Sequence, residues 1–197
     1  NLTSLEELDV QLHGLTLKGV VDWQQDKGRS GFSGQVSGQD VGKVLEAWGY
    51  TPTLSSERFS LDTRLGWPGQ PQQVALLKLD GEVQLSFRNG QLHEVDTGAK
   101  ALRVFGLLNF NSIGRRLRLD FSDLLGKGLS YDRLRGKLVF EHGLIYSVEP
   151  LVFKGVSSEL NLAGKLDLNA NLVNARLDVS IPVSNNLPLA AVLVGAP

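Results

Sequence analysis

The residues able to do chemistry are few and scattered. His13, His93 and His142 are the only histidines, cysteine is absent and no H-E-x-x-H pair occurs, so a metal site would need distant carboxylates to converge on one imidazole. His142 precedes Gly143 in an expected turn, and His13 falls on the wet face of an expected strand; both are positions for solvated side chains. There is no G-x-S-x-G elbow. Gly126-Lys127-Gly128 lacks the upstream glycine, and the Ser or Thr after the lysine, that a phosphate-cradling loop requires. Asp120 and Asp123 could do acid–base work in principle, yet nothing local would move a carboxyl pKa, and turn or cap roles are commoner for such residues. The densest charge cluster, Arg115-Arg116-Leu117-Arg118, offers guanidinium groups to a phosphate. Because Leu117, Leu119 and Phe121 alternate with Arg116, Arg118 and Asp120, it also reads as the wet face of a strand. Asn1-Leu2-Thr3 fits the glycosylation sequon, a match short enough to arise by chance. These residues point away from an enzyme and away from any cofactor or metal.

What must position side chains here is a β-sheet. Leu8, Val10 and Leu12 alternate with Asp9, Gln11 and His13, and after a slip at Gly14 the pattern resumes with Leu15, Leu17, Gly19, Val21 and Trp23. Phe32, Gly34 and Val36 follow, and then Phe59, Leu61, Leu65 and Trp67 oppose Arg58, Ser60, Asp62 and Arg64. Val83, Leu85 and Phe87 lead into Arg88-Asn89-Gly90, whose Asn-Gly pair predicts a tight hairpin. Leu138 and Phe140 run into the turn at His142-Gly143, with Leu144, Tyr146 and Val148 on the return strand. Leu160, Leu162, Leu166 and Leu168 alternate with Glu159, Asn161, Lys165 and Asp167; Leu177, Val179 and Ile181 alternate with Arg176, Asp178 and Ser180. Each strand has one apolar and one polar face. Two segments have helical spacing instead. Asp40 caps Val41, Val44, Leu45 and Trp48, with Gly49 as the stop, and Leu102, Phe105 and Leu108 mark a second helix from about Ala99 to Leu108. Trp67-Pro68-Gly69-Gln70-Pro71 is the strongest break and reads as a long hairpin connection inside one domain.

With 42% hydrophobic and 21% charged residues the chain folds, and a net charge of -1 gives no broad positive field for nucleic acid. Methionine is absent, so residues 1–197 read as one domain fragment of a longer protein, truncated at both ends. No apolar run approaches the roughly 20 residues of a spanning helix. Many apolar strand faces and only two short helices leave the sheet to cover itself. It can close as a sandwich or barrel, or curl into a trough that stays open for an apolar ligand. The uncharged run Leu187–Ala196 follows Asn185-Asn186 and contains Pro188, so it is expected to leave the ladder that ends near Ile181. It then either contacts a membrane or packs over the open end of the sheet.

Phe105-Gly106-Leu107-Leu108-Asn109-Phe110, Arg115 through Leu124, Gly126-Lys127-Gly128 and Tyr131-Asp132-Arg133-Leu134-Arg135-Gly136 together resemble the C-terminal region of the YhdP branch of the AsmA-like proteins. The resemblance continues through Gly143 to Val183-Ser184-Asn185-Asn186-Leu187-Pro188-Leu189-Ala190, and upstream through Asp40-Val41-Gly42, Gly49-Tyr50 and Leu65-Gly66-Trp67-Pro68-Gly69. It implies a Gram-negative envelope protein anchored in the inner membrane, with its bulk in the periplasm. It also implies a strongly curved, mostly antiparallel β-groove, a taco-like trough with two short helices. Phospholipid would pass along this groove between inner and outer membrane without catalysis or cofactor, sustaining the outer-membrane permeability barrier. In that reading the alternating apolar residues from Phe59 to Ile181 line the groove, and the C-terminal end contacts the membrane. The rival is a periplasmic scaffold domain that helps outer-membrane proteins assemble by pairing client strands at open sheet edges.

Overall fold

The computed structural model describes residues 3–47, 49, 52, 54–93, 129–156, 158–170, 172–182 and 188–194. The protein is mainly β. Its strands are β1 (Thr3–Leu12), β2 (Leu15–Gln24), β3 (Arg29–Gly38), β4 (Arg58–Pro68), β5 (Asp80–Leu92), β6 (Leu129–Glu141), β7 (Leu144–Ser147), β8 (Leu151–Lys154), β9 (Glu159–Asp167), β10 (Leu172–Pro182) and β11 (Pro188–Val194). They form one sheet of 11 strands, all paired antiparallel; each neighbours the next in sequence except that β7 and β8 both lie between β6 and β9. Phe59, Leu134 and Leu160 are 2%, 3% and 4% exposed, although the one α-helix described, α1 (Val41–Ala47), has only seven residues to lay against them. Twist between neighbouring strands curves a sheet of this size, and the most buried row lies on the face against which α1 packs Val44.

Two-residue turns set the register between β1 and β2 and between β6 and β7. His13-Gly14 has φ of 46° and 83°, and His142-Gly143 has 48° and 84°. Both central residues of each turn are left-handed, which matches the twist of the flanking strands. His13 therefore belongs to a turn, not to the wet face of β1. In α1, the Lys43 amide donates to Asp40 Oδ1 at 3.3 Å, and Gly49, at φ +81°, ends the helix with its amide on the Glu46 carbonyl at 2.9 Å. Between β4 and β5 the chain makes two short 3-10 turns, Pro71–Gln73 and Leu76–Lys78. Trp48, the expected helix at 99–108 and the arginine cluster at 115–118 lie outside the described residues.

Two further expectations about the chain's path need correction. Asn89-Gly90 is not a hairpin: β5 runs through it and stays paired with β6 as far as Leu92. Asn89 does take the left-handed backbone, at φ 48°, but it spends that turn on shifting the strand's faces. Arg88 and Asn89 are both exposed, and opposite them Asp132 and Arg133 are both exposed between buried Tyr131 and Leu134. The two strands shift together and their pairing survives. The second correction concerns the C-terminal run, which does not leave the ladder. β11 pairs with β10 from Pro188 opposite Pro182 to Val194 opposite Arg176. Pro188 is the first residue of its strand, a position where the missing amide is tolerated.

β7 and β8 are one strand interrupted by an insertion. On β6, three steps separate Leu138 from Arg135, whereas their partners Ser147 and Val152 are five steps apart. The excess is two residues, an even number, so Ile145 and Phe153 still face the same side. Val148, Glu149 and Pro150 are exposed at the insertion, and the Gly164 amide donates to Ser147 Oγ at 3.0 Å.

Candidate functional site

Cross-strand partners share a face, so the register assembles apolar residues into rows that run across the strands. The first row is Leu15, Gly38, Phe59, Phe87, Leu134, Phe153 and Leu160. Phe59 and Phe87 stack at 5.6 Å, Val44 of α1 joins the same cluster, and Tyr131 meets Phe153 edge-on at 5.8 Å. The Tyr131 hydroxyl donates to the Ser55 carbonyl at 2.6 Å, and burial pushes its phenol well above the ordinary range. The second row is Val10, Leu17, Val36, Leu61 and Leu85. It continues over Gly136, where a Cβ would lie 2.1 Å from Leu151 Cδ2, to Leu151 and Leu162. The third is Val21, Phe32, Leu65, Gly81, Phe140, Ile145, Leu166 and Val173. Between the second and third lies a row with smaller members, Gly19, Gly34, Thr63, Val83, Leu138 and Ser147.

These rows collect most of the expected positions and reject two. Phe59, Leu61, Leu65, Trp67, Val83, Leu85, Phe87, Leu138, Phe140, Leu160, Leu162 and Leu166 share the apolar face, and Leu168 is buried just past β9. Leu144 and Tyr146 do not share it. Leu144 lies opposite Glu141 and Asp167, and Tyr146 lies opposite Val139 and Lys165, on the polar face. The two-residue turn at His142-Gly143 pairs Glu141 with Leu144, so a charged Glu141 turns Leu144 outward with it. Ile145 and Ser147 take the inner positions. Leu177 pairs with Leu162, Val179 with Leu160 and Ile181 with Leu189. Leu134, Leu151, Phe153 and Tyr131 belong to the face but stand outside the regular alternation. Tyr131 and Leu134 straddle the shift at Asp132, and β8 has four residues, too few to show a period.

Coverage of the apolar face is uneven. Its first row is sealed by α1 and the aromatic cluster. Leu61, Leu65, Phe140, Leu162 and Leu166 are only half-buried, and at β1 Val10 and Leu12 are 39% and 46% exposed. The second and third rows each cross eight strands, so seven steps of about 4.8 Å make an apolar path roughly 34 Å long.

The reverse face is ionic. Lys18 pairs with Asp9 at 3.3 Å, Arg29 with Asp80 at 3.1 Å, and Arg64 at 3.7 Å and Lys137 both reach Glu82. The Lys137 hydrogen bond and charge, helped by Arg64, hold the Glu82 carboxyl below its ordinary pKa. Tyr146 donates to Glu141 at 3.3 Å; desolvation and the Glu141 charge raise its phenol. Asp22, Arg29, Arg64, Asp80, Glu82 and Glu141 line a shallow depression there, where Arg29 pairs with Asp80 and Arg64 with Glu82 while Asp22 accepts from Gln24 and Glu141 from Tyr146. Among the described residues no three His, Asp or Glu side chains gather as a metal would need, and no helix is long and apolar enough to cross a membrane.

The sequence matches the model of the YhdP protein family over residues 2–197. It is 26% identical over 186 residues, 93% of this chain, to the intermembrane phospholipid transporter YhdP of Escherichia coli (strain K12). That stretch is 14% of the relative, so the chain spans about one seventh of that protein's length. No solved structure matches. The chain belongs to the YhdP protein family.

Proposed function

We propose that this domain is a segment of a non-enzymatic phospholipid conduit, with acyl chains lying along its apolar rows and headgroups left to water. The observation that carries the reading is the continuity of the rows: apolar positions follow one another from strand to strand, while the opposite face carries ion pairs. Burial of each methylene contributes about 0.8 kcal/mol wherever it lies, so a uniform row holds a chain without fixing its position. The half-buried second and third rows are the open part of the groove, and α1 closes only the first. Leu177, Val179 and Ile181 extend the rows by register. The family relative is named for moving phospholipid between membranes, which supports the same cargo. In this reading the domain sits in the periplasm as part of an inner-membrane-anchored protein and serves the outer-membrane barrier. No cofactor enters this function, and the C-terminal strand also contacts a membrane.

Photo-crosslinkers test it. Placed at Leu162 and Leu166 they capture phospholipid, identified by mass spectrometry, and placed at Lys165 and Asp167 they do not. Equal capture from both faces would sink the groove assignment. The sheet's outermost strands, β1 and β11, also favour a second reading, in which open edges pair with client strands during outer-membrane protein assembly. A lipid-free domain that binds unfolded outer-membrane strands would favour that scaffold role.

A further inference from the structure

Over most of the polar face, charges on neighbouring strands have opposite signs, as in the pairs Lys18–Asp9, Arg29–Asp80, Arg64–Glu82 and Lys137–Glu82. One row breaks this rule. Arg58 lies directly opposite Arg88, Arg88 opposite Arg133, and Arg133 opposite Lys154, on β4, β5, β6 and β8 in turn. Arg135 stands two residues from Arg133, and all five side chains are exposed. Strand spacing makes this row roughly 14 Å long. The row ends at Glu159, which lies opposite Lys154 on β9 but accepts from Asn161 at 3.3 Å; Glu57 accepts from Asn89 at 2.7 Å, and among the described residues neither they nor Asp132 form an ion pair with the five cations. Like charges directly opposite on a sheet repel. The register cannot slip to relieve them, because each cation is next in sequence to a first-row residue, Phe59, Phe87, Leu134 or Phe153, that a one-residue slip would expose.

We infer that this cationic row docks the polar face onto an anionic phospholipid bilayer, with the guanidinium forks bridging lipid phosphates. Arginine matches phosphate in bidentate geometry, and three of the four members are arginines. The adjacent outer row, Ser60, Ser86, Arg135, Val152 and Asn161, offers one small aliphatic side chain, so a protein partner would find no apolar centre to bury. The row also sits inside the sheet, where no free backbone edge awaits a peptide strand. A surface dense in phosphates needs only the cations. Docking by this face is independent of lipid occupancy on the other.

The test is co-sedimentation of the chain with vesicles of phosphatidylglycerol and phosphatidylethanolamine, and with vesicles of phosphatidylcholine alone. Each cation near an anionic leaflet is worth roughly fivefold in partition, so R58Q/R88Q/R133Q/K154Q loses about 100-fold or more on the anionic vesicles. The charge-matched variant K18Q/R64Q/K137Q/R176Q, which removes cations already paired, stays within about threefold of the parent. Salt at about 0.5 M weakens parental binding, and the first variant melts no lower than the parent because repulsion has been removed. Equal losses in both variants, full binding by the first, equal binding to phosphatidylcholine, or a lower melting temperature for the first variant would each overturn the inference.

Discussion

Gly19 and Gly34 face each other across β2 and β3 so closely that a Cβ built on Gly34 would lie 2.6 Å from the Gly19 Cα and 2.2 Å from the Lys18 carbonyl oxygen. A Cβ on Gly19 would in turn lie 2.4 Å from the Ser33 carbonyl oxygen, 2.7 Å from the Gly34 Cα and 2.9 Å from the Phe32 ring. The obstacle at Gly34 is backbone, which cannot step aside, so Gly34→Ala must spread two strands. It lowers stability by about 1–3 kcal/mol, the usual range for overpacking. Ser33→Ala, one residue away on the exposed face, stays within about 0.5 kcal/mol. Urea unfolding of the two variants checks this, and equal effects would remove the close approach as a constraint.

The turn at His142-Gly143 leads to a sharper contrast on β7. Leu144 lies between Glu141 and Asp167, whereas Ile145 lies between Phe140 and Leu166. Leu144→Lys places an ammonium between two carboxylates, each worth about 0.2–1 kcal/mol across a strand pair, and is neutral or stabilising. Ile145→Lys forces a charge among apolar neighbours and costs about 2 kcal/mol or more. Thermal melts rank the two, and the reverse order would restore Leu144 to the inner face.

Reading this fold from its sequence succeeds where strands are long and uninterrupted. Phe59 to Trp67 on β4 and Leu160 to Leu166 on β9 keep strict alternation, and their partners fall on the expected face. It fails where the backbone changes face without a change in composition. Asn89 spends a left-handed residue inside a strand, so an Asn-Gly pair that usually turns a hairpin instead shifts β5 against its own pattern. Leu144 and Tyr146 look like the continuation of Leu138 and Phe140 because both pairs are apolar and spaced by two. Only the turn length decides between them and Ile145. The row Arg58, Arg88, Arg133 and Lys154 was invisible for a different reason: its members are far apart in sequence, and only pairing across four strands makes them neighbours.

The insertion between β7 and β8 predicts an odd–even effect. Excising Glu149-Pro150 joins Val148 to Leu151 and leaves Leu151 opposite Leu162, as it is now. The strand becomes continuous, with a change of about 1 kcal/mol or less, since a short exposed loop is removed. Deleting Glu149 alone leaves one extra residue and turns Leu151 and Phe153 to the polar face. Loss of the buried Phe153 ring makes that deletion cost about 3–5 kcal/mol. Circular dichroism melts separate the cases, and a single deletion tolerated as well as the double would show that β8 does not depend on parity.

Tyr131 ties stability to high pH. Its folded pKa is raised by burial above the ordinary value of 10.0, so above that value the unfolded chain releases the phenolic proton while the folded chain keeps it. The unfolded state then binds fewer protons, and stability falls as pH rises from about 10 toward the folded pKa, by up to about 1.4 kcal/mol per pH unit. Tyr131→Phe cannot ionise and lacks this slope, but it leaves the Ser55 carbonyl without the hydroxyl that now donates to it at 2.6 Å. At pH 8 the variant is therefore about 1 kcal/mol less stable than the parent, for the lost hydrogen bond. At about pH 11 the gap closes or inverts, because only the parent has lost stability to phenol ionisation. Denaturant unfolding at the two pH values measures both gaps; a difference that stays constant would mean that the Tyr131 hydroxyl is accessible to hydroxide in the folded protein and that the seal over the first row is open.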